Sequence, residues 1–222
     1  MVLSDSALAP HRNDKLPSRD PRPEPQATLS GLLEFISPAS ADHLAEKLLD
    51  EFGSLPGIIG AEQFRLEAID DVPDAALRLL TLVGDAFRQS LSSQISNRPI
   101  LSSSVDLMDY LRATIGYWRT ECFRVLFLDT QNHLIRDEIL QLGSVSKVVV
   151  DPRRILAQAL RLDATALILV HNHPSGICQP SAADIAVTEC LAESAALFDI
   201  AIHDHLIVAA DGCASLKSLG IL

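Results

Sequence analysis

The segment "HNHPSGICQPSAAD" (171–184) places two histidines one residue apart and an aspartate eleven residues after the second. Neutral imidazoles and a carboxylate suit Zn²⁺, and three protein ligands leave a fourth position for water. An ion held by His171, His173 and Asp184 would bring the pKa of its water towards neutrality, ready to attack a carbonyl. A plainer explanation stands beside this one. Ser181 three residues before Asp184 is also the S-x-x-D pattern of a helix N-cap, which needs no metal. The two are compatible. His-x-His alone is weakly specific. The full string H-x-H-P-x6-S-x2-D fixes five identities and arises by chance at a given start on the order of once in a million. That makes it a strong signal.

Such ligands must be brought together by local structure. "ALILV" (166–170) is an apolar, β-rich run expected to form a buried strand. Pro174, Ser175 and Gly176 break it, and "SAADIAVTECLAESAALF" (181–198) carries apolar residues at helical spacing. The histidines thus fall at a strand end, on one face by alternation, with Asp184 in the first turn of the next helix. Upstream, "CFRVLFLD" (122–129) reads as a strand, "TQN" as a turn and "HLIRDEIL" (133–140) as its hairpin partner. "KVVV" (147–150) is a further short strand, followed by Asp151 and Pro152 as N-cap and first residue of the helix "PRRILAQALRL". "FDIAIHDHLIVAADG" (198–212) is an apolar strand in which alternation puts His203 and His205 on one face and Asp204 on the other. A satisfied structural role suits these two histidines better than one orienting the metal ligands.

The N-terminal half reads differently. Residues 1–28, with "PSRDPRPEPQ", have the composition of a disordered tail. Residues 29–91 are helical. "DHLAEKLLDEFGSL" (42–55) has Leu44, Leu48, Leu49 and Phe52 on one stripe with Gly53 as terminator, and "PDAALRLLTLVGDAFRQSL" (73–91) is a second striped helix. The polar stretch 92–104 reads as a linker, and a second domain spans 105–222, opening on the helix "VDLMDYLRATIG".

Length and composition set the bounds. The 222 residues suffice for one good core and a small second module, and 48% hydrophobic with 21% charged residues is ordinary globular composition. No run approaches transmembrane length, and the first twenty residues hold no signal-peptide-like apolar segment. Four cysteines without a C-x-x-C pair suit a reducing cytoplasm. A net charge of −11 argues against broad affinity for nucleic acid or anionic membranes.

His171, His173, Ser181 and Asp184 match the JAMM (MPN+) metalloprotease motif H-x-H-x7-S-x2-D. With "RVLFLD" before it and "DHLIV" after it, the fuller "LILVHNHPSG…PS..D" resembles the bacterial RadC family over about residues 102–222. The resemblance implies an α/β (α+β) fold of the MPN, cytidine-deaminase-like kind, a mixed sheet flanked by helices. It implies Zn²⁺ on His171, His173 and Asp184, and Ser181 donating to a developing oxyanion. It also implies an upstream glutamate that deprotonates the metal's water. Glu121 and Glu138 both qualify, and order along the chain favours Glu121. A zinc deaminase is a poor match, since that chemistry uses H-x-E and P-C-x-x-C where this chain has His-Asn-His and a single nearby Cys178.

Members of that family also carry helix-hairpin-helix elements, which residues 42–91 match weakly. "FGSLPGIIGA" (52–61) looks like one such hairpin, whose glycines let amides approach phosphate. The next, "AIDDVPDAAL" (68–77), has no glycine and sets Asp70, Asp71 and Asp74 where phosphate would come. Residues 31–100 hold five Lys/Arg against eleven Asp/Glu, a net of −6. The module is therefore expected to be a degenerate element that packs or contacts protein, with weak or no nucleic-acid binding. The resulting expectation is a cytoplasmic zinc hydrolase cleaving a peptide or isopeptide bond. Alternatives are a DNA-associated protein and a zinc scaffold without turnover.

Overall fold

The computed structural model describes residues 24–96, 98–102, 104–143 and 150–222. Two central strands explain the sheet. β1 (Cys122–Leu128) and β3 (Ala166–Asn172) are buried along their whole length, as continuous apolar runs are when helices cover both faces. With β2 (Leu134–Leu142), β4 (Ala201–Ala209) and β5 (Gly212–Ser215) they form a five-stranded sheet in the order β2-β1-β3-β4-β5. β3 and β4 are parallel and the other pairs antiparallel, so the sheet is mixed.

Helix α6 (Ser104–Ile115) covers one face, where Leu107, Leu111 and Ile115 meet Leu126, Ile168, Val170 and Leu206. Helices α7 (Pro152–Arg161) and α8 (Ala182–Ala196) cover the other, where Ile155, Ala159, Leu191 and Ala195 meet Val125, Phe127, Leu167 and Leu169. Asp151 caps α7 as expected, its carboxylate accepting from Arg153 N at 3.0 Å. The strand expected at 147–150 lies outside the described residues except for Val150, which packs against this second face.

Helices α1 (Pro25–Glu34), α2 (Ala41–Phe52), α3 (Leu55–Ile59), α4 (Gln63–Glu67) and α5 (Asp74–Ser96) build the N-terminal part around Leu33, Leu44, Leu48, Ile58 and Leu80. Gly53 ends α2 in the left-handed conformation at φ +75. In the second, glycine-free hairpin Asp71 takes φ +59 itself, a conformation short polar side chains tolerate.

Two expected boundaries move. Residues 24–28 of the supposed tail are described, and Pro25 starts α1 because Leu29 and Leu33, four apart, are fully buried against α2. Residues 1–23 lie outside the described residues. The stretch 92–104 is not simply a linker. α5 continues to Ser96, and Ile95 and Ile100 are both 2% exposed, buried in the core beneath α6. The apolar residues in that polar text decided its structure.

β4 corrects a third expectation. Leu167 pairs with Ile202 but Ile168 pairs with Asp204, so His203 is the extra residue of a bulge. Alternation fails there, and His203 and His205 go separate ways. His203 Nε2 meets Asn132 Oδ1 at 2.6 Å in the β1–β2 turn, whereas His205 is fully buried under α8. Among the described residues no helix is long and apolar enough to cross a membrane, and all four cysteines are free thiols.

Candidate metal centre

β3 carries His171 at its end, opposite Phe123 of β1 and Ile207 of β4. His173 lies one residue beyond the strand and extends its pairing, its N–H donating to Val208 O at 2.8 Å. The chain then turns, with Gly176 at φ +82. Each imidazole is fixed from behind. His171 Nδ1 lies 3.0 Å from Cys122 O, and His173 Nδ1 lies 2.8 Å from Ile177 O. A carbonyl can only accept, so Nδ1 holds the proton in the neutral ring and Nε2 keeps its lone pair. Both Nε2 atoms face Asp184, at 3.9 Å from Oδ1 for His171 and 3.4 Å from Oδ2 for His173. The rings stand edge to face with centroids 5.1 Å apart.

Asp184 arrives from the other side on the first turn of α8. Ser181 is the N-cap, and a full capping box forms. Ser181 Oγ accepts from Asp184 N at 3.2 Å, while its own N–H and hydroxyl donate to Asp184 Oδ2 at 2.7 and 2.6 Å. The helix-start explanation therefore holds, and the same box aims the carboxylate at the histidines. Burial opposes the charge on Asp184, but the hydrogen bonds from His173 in its protonated form and from Ser181 outweigh it and hold the carboxyl far below the usual range. Burial lowers the pKa of His171, and the hydrogen bond to Asp184 raises that of His173.

One ligand atom from each of His171, His173 and Asp184 lies within 4.8 Å of the others. Two freed imidazole nitrogens and an ionised carboxylate, each oriented by a further hydrogen bond, are a donor set that fits a divalent ion. Glu121 is half-buried and precedes Cys122, whose carbonyl orients His171, and its charge acts on both histidines. Glu138 is elsewhere. It sits opposite Val125 and accepts from Gln158 of α7 at 2.8 Å. Cys178 stays outside the group, its sulfur 3.7 Å from where a β-carbon on Gly212 would stand.

Sequence reasoning missed Thr188, Asn172 and Glu62. Thr188 Oγ1 donates to Asp184 O and also meets His205 Nδ1, both at 2.6 Å. Asn172 is 1% exposed on the strand between the two histidines. A polar residue at an inward strand position was the available signal, since a buried amide demands partners. Glu62 gave no signal, because its partner is 57 residues away.

A mixed sheet with His-x-His at the end of a central strand, and an aspartate in the first turn of the following helix, is the arrangement of a JAB/MPN-type domain. Residues 101–221 match the family model described as a RadC-like JAB domain. The UPF0758 protein of Rhodobacter capsulatus is 42% identical over 179 residues, covering 81% of this chain and 84% of the relative. The chain belongs to the RadC family.

Proposed function

We propose that this chain is a cytoplasmic, zinc-dependent hydrolase that cleaves a peptide or isopeptide bond. The observation that carries the proposal is the convergence of His171 Nε2, His173 Nε2 and the Asp184 carboxylate, with both Nδ1 atoms occupied by carbonyls. Zn²⁺ bound there supplies Lewis-acid polarisation and a water of near-neutral pKa. Glu121 takes the proton of the attacking water and passes it to the leaving amine. Ser181 donates its hydroxyl to the developing oxyanion. It has one proton, now given to Asp184 Oδ2, so this role requires the hydroxyl to turn.

The glycines of the helical module support a packing role over phosphate binding. Gly57 N–H is taken by Ser54 Oγ at 3.1 Å, and a β-carbon on Gly60 would stand 2.8 Å from Tyr117 Cδ2.

The test combines metal analysis with turnover. The wild type is expected to carry about one Zn²⁺ per chain and to cleave members of a proteome-derived peptide library or isopeptide-linked peptide conjugates, read by mass spectrometry. Glu121→Gln should keep the zinc and lose about 10²–10⁴-fold in rate, and Glu138→Gln should keep both the zinc and the rate. Wild-type turnover in Glu121→Gln means the base is wrong. Zinc without cleavage of any member leaves a zinc scaffold, and absence of zinc removes the metal assignment.

A further inference from the structure

The segment that carries Glu121 is bonded at every residue from 118 to 122. Asn172 does most of this, from the position between the two histidines. Its Oδ1 accepts from Cys122 N at 2.7 Å, and its Nδ2 donates to Thr120 O at 3.1 Å and Trp118 O at 3.4 Å. Glu121 O itself accepts from Gly143 N at 2.8 Å. The remaining residue, Arg119, donates its N–H to Glu62 Oε2 at 3.0 Å. Glu62 comes from the N-terminal helical part, at the start of α4, and is only 9% exposed. A carboxylate that buried is costly unless hydrogen-bonded. Its place here ties a remote module to the loop leading into β1. The bare Gly60 against Tyr117 brings the two parts close enough for the bond.

We propose that Asn172 and Glu62 are positioning residues that clamp residues 118–122 from the ligand-bearing strand and from the helical module, and so fix Glu121 beside the metal centre. The inference rests on Glu121 being the general base of the proposed reaction. The alternation of β3 makes it physically coherent. The strand sends His171 to one face and Asn172 to the other, so one tripeptide holds a ligand and orients the segment carrying the base. Through Glu62, the helical module becomes a structural part of the site.

The test uses the full chain with zinc exchanged for Co²⁺, whose visible d–d spectrum changes as its bound water ionises, at a pH that a neighbouring charge shifts. The pH midpoint of that spectrum is measured for wild type, Glu121→Gln, Glu62→Ala, Glu62→Gln, Asn172→Ala and the Glu62→Ala/Glu121→Gln pair, with melting temperature recorded for each. Losing the Glu121 charge should move the midpoint by about one pH unit. Glu62→Ala and Asn172→Ala should reproduce at least half of that movement. Glu62→Gln, which loses the charge but keeps an acceptor for Arg119 N–H, should return the wild-type midpoint. The pair should behave as Glu121→Gln alone, since the two residues would act through one carboxylate. If Glu121→Gln moves the midpoint and folded Glu62→Ala and Asn172→Ala do not, the clamp is refuted while the base assignment stands. If Glu121→Gln leaves the midpoint unmoved, or wild type binds no Co²⁺, the underlying reaction reading falls and takes the clamp with it.

Discussion

Replacing His173 by alanine removes one nitrogen of the three-atom donor set while leaving β3, which ends at Asn172, intact. Zinc measured by elemental analysis should fall from about one per chain to a small fraction of that, with the circular dichroism spectrum kept. Full occupancy in His173→Ala would sink the ligand assignment. His205 gives a different kind of prediction. Burial pushes its pKa down to about 3, against about 6.5 in an unfolded chain. Because the folded value is depressed, the unfolded state alone binds this proton between those limits. Stability is unaffected by His205 above pH 6.5 and falls as the pH drops from there towards 3, by up to about 1.4 kcal/mol per unit. His205→Asn keeps a donor for Thr188 without the titration. Urea unfolding between pH 4.5 and 7.5 should show a shallower decline in that variant, and parallel curves would refute the assignment.

At the scale of elements, β1 is apolar on both faces save for Arg124, which is 8% exposed. It answers Asp137 of β2 through two guanidinium nitrogens, and Thr114 Oγ1 and Tyr110 OH of α6 at 2.8 Å each. Tyr110 OH also donates to Asp137 at 2.7 Å, and burial pushes its pKa up to about 12. The network ties α6 to the β1–β2 hairpin. Breaking one partner of a buried pair leaves an uncompensated charge and costs about 3–5 kcal/mol. Arg124→Met is therefore expected to be destabilised by that amount in denaturant unfolding. Arg124→Met/Asp137→Leu should recover much of the loss, because both charges leave together. A double variant less stable than Arg124→Met would show that the network is net stabilising. The capping box at α8 works at the same scale, since one local motif both starts the helix and aims Asp184.

For the whole molecule, charge is the first consideration. Non-specific nucleic-acid affinity comes chiefly from phosphate neutralisation, and residues 31–100 carry −6. Fluorescence anisotropy with duplex and branched DNA at physiological salt should find no binding tighter than roughly 10⁻⁴ M. Micromolar binding would overturn that view. The helical part is instead joined to the sheet domain by packing and by Glu62, and α5 contributes Ile95 to the core beneath α6.

The local text was enough for the strand-turn-helix unit. "ALILV", the Pro174–Gly176 break and Ser181 with Asp184 each encode their structure within a few residues, so the convergence of His171, His173 and Asp184 and the capping box were both readable. The β1–β2 hairpin and the Asp151 cap were readable for the same reason. The positions of Ile95 and Ile100 were not, because a polar window hides two apolar residues whose burial is set by α6 and the sheet. The β4 bulge was hidden too, since register against β3 is a property of two strands and alternation of only one. The sequence offered Glu121 and Glu138 as alternatives. Tertiary structure gives the second to Gln158, while the charge of the first acts on both histidines. Glu62 is the extreme case: a side chain that meets a backbone N–H 57 residues away leaves no local pattern, and only the folded chain brings the two within 3.0 Å.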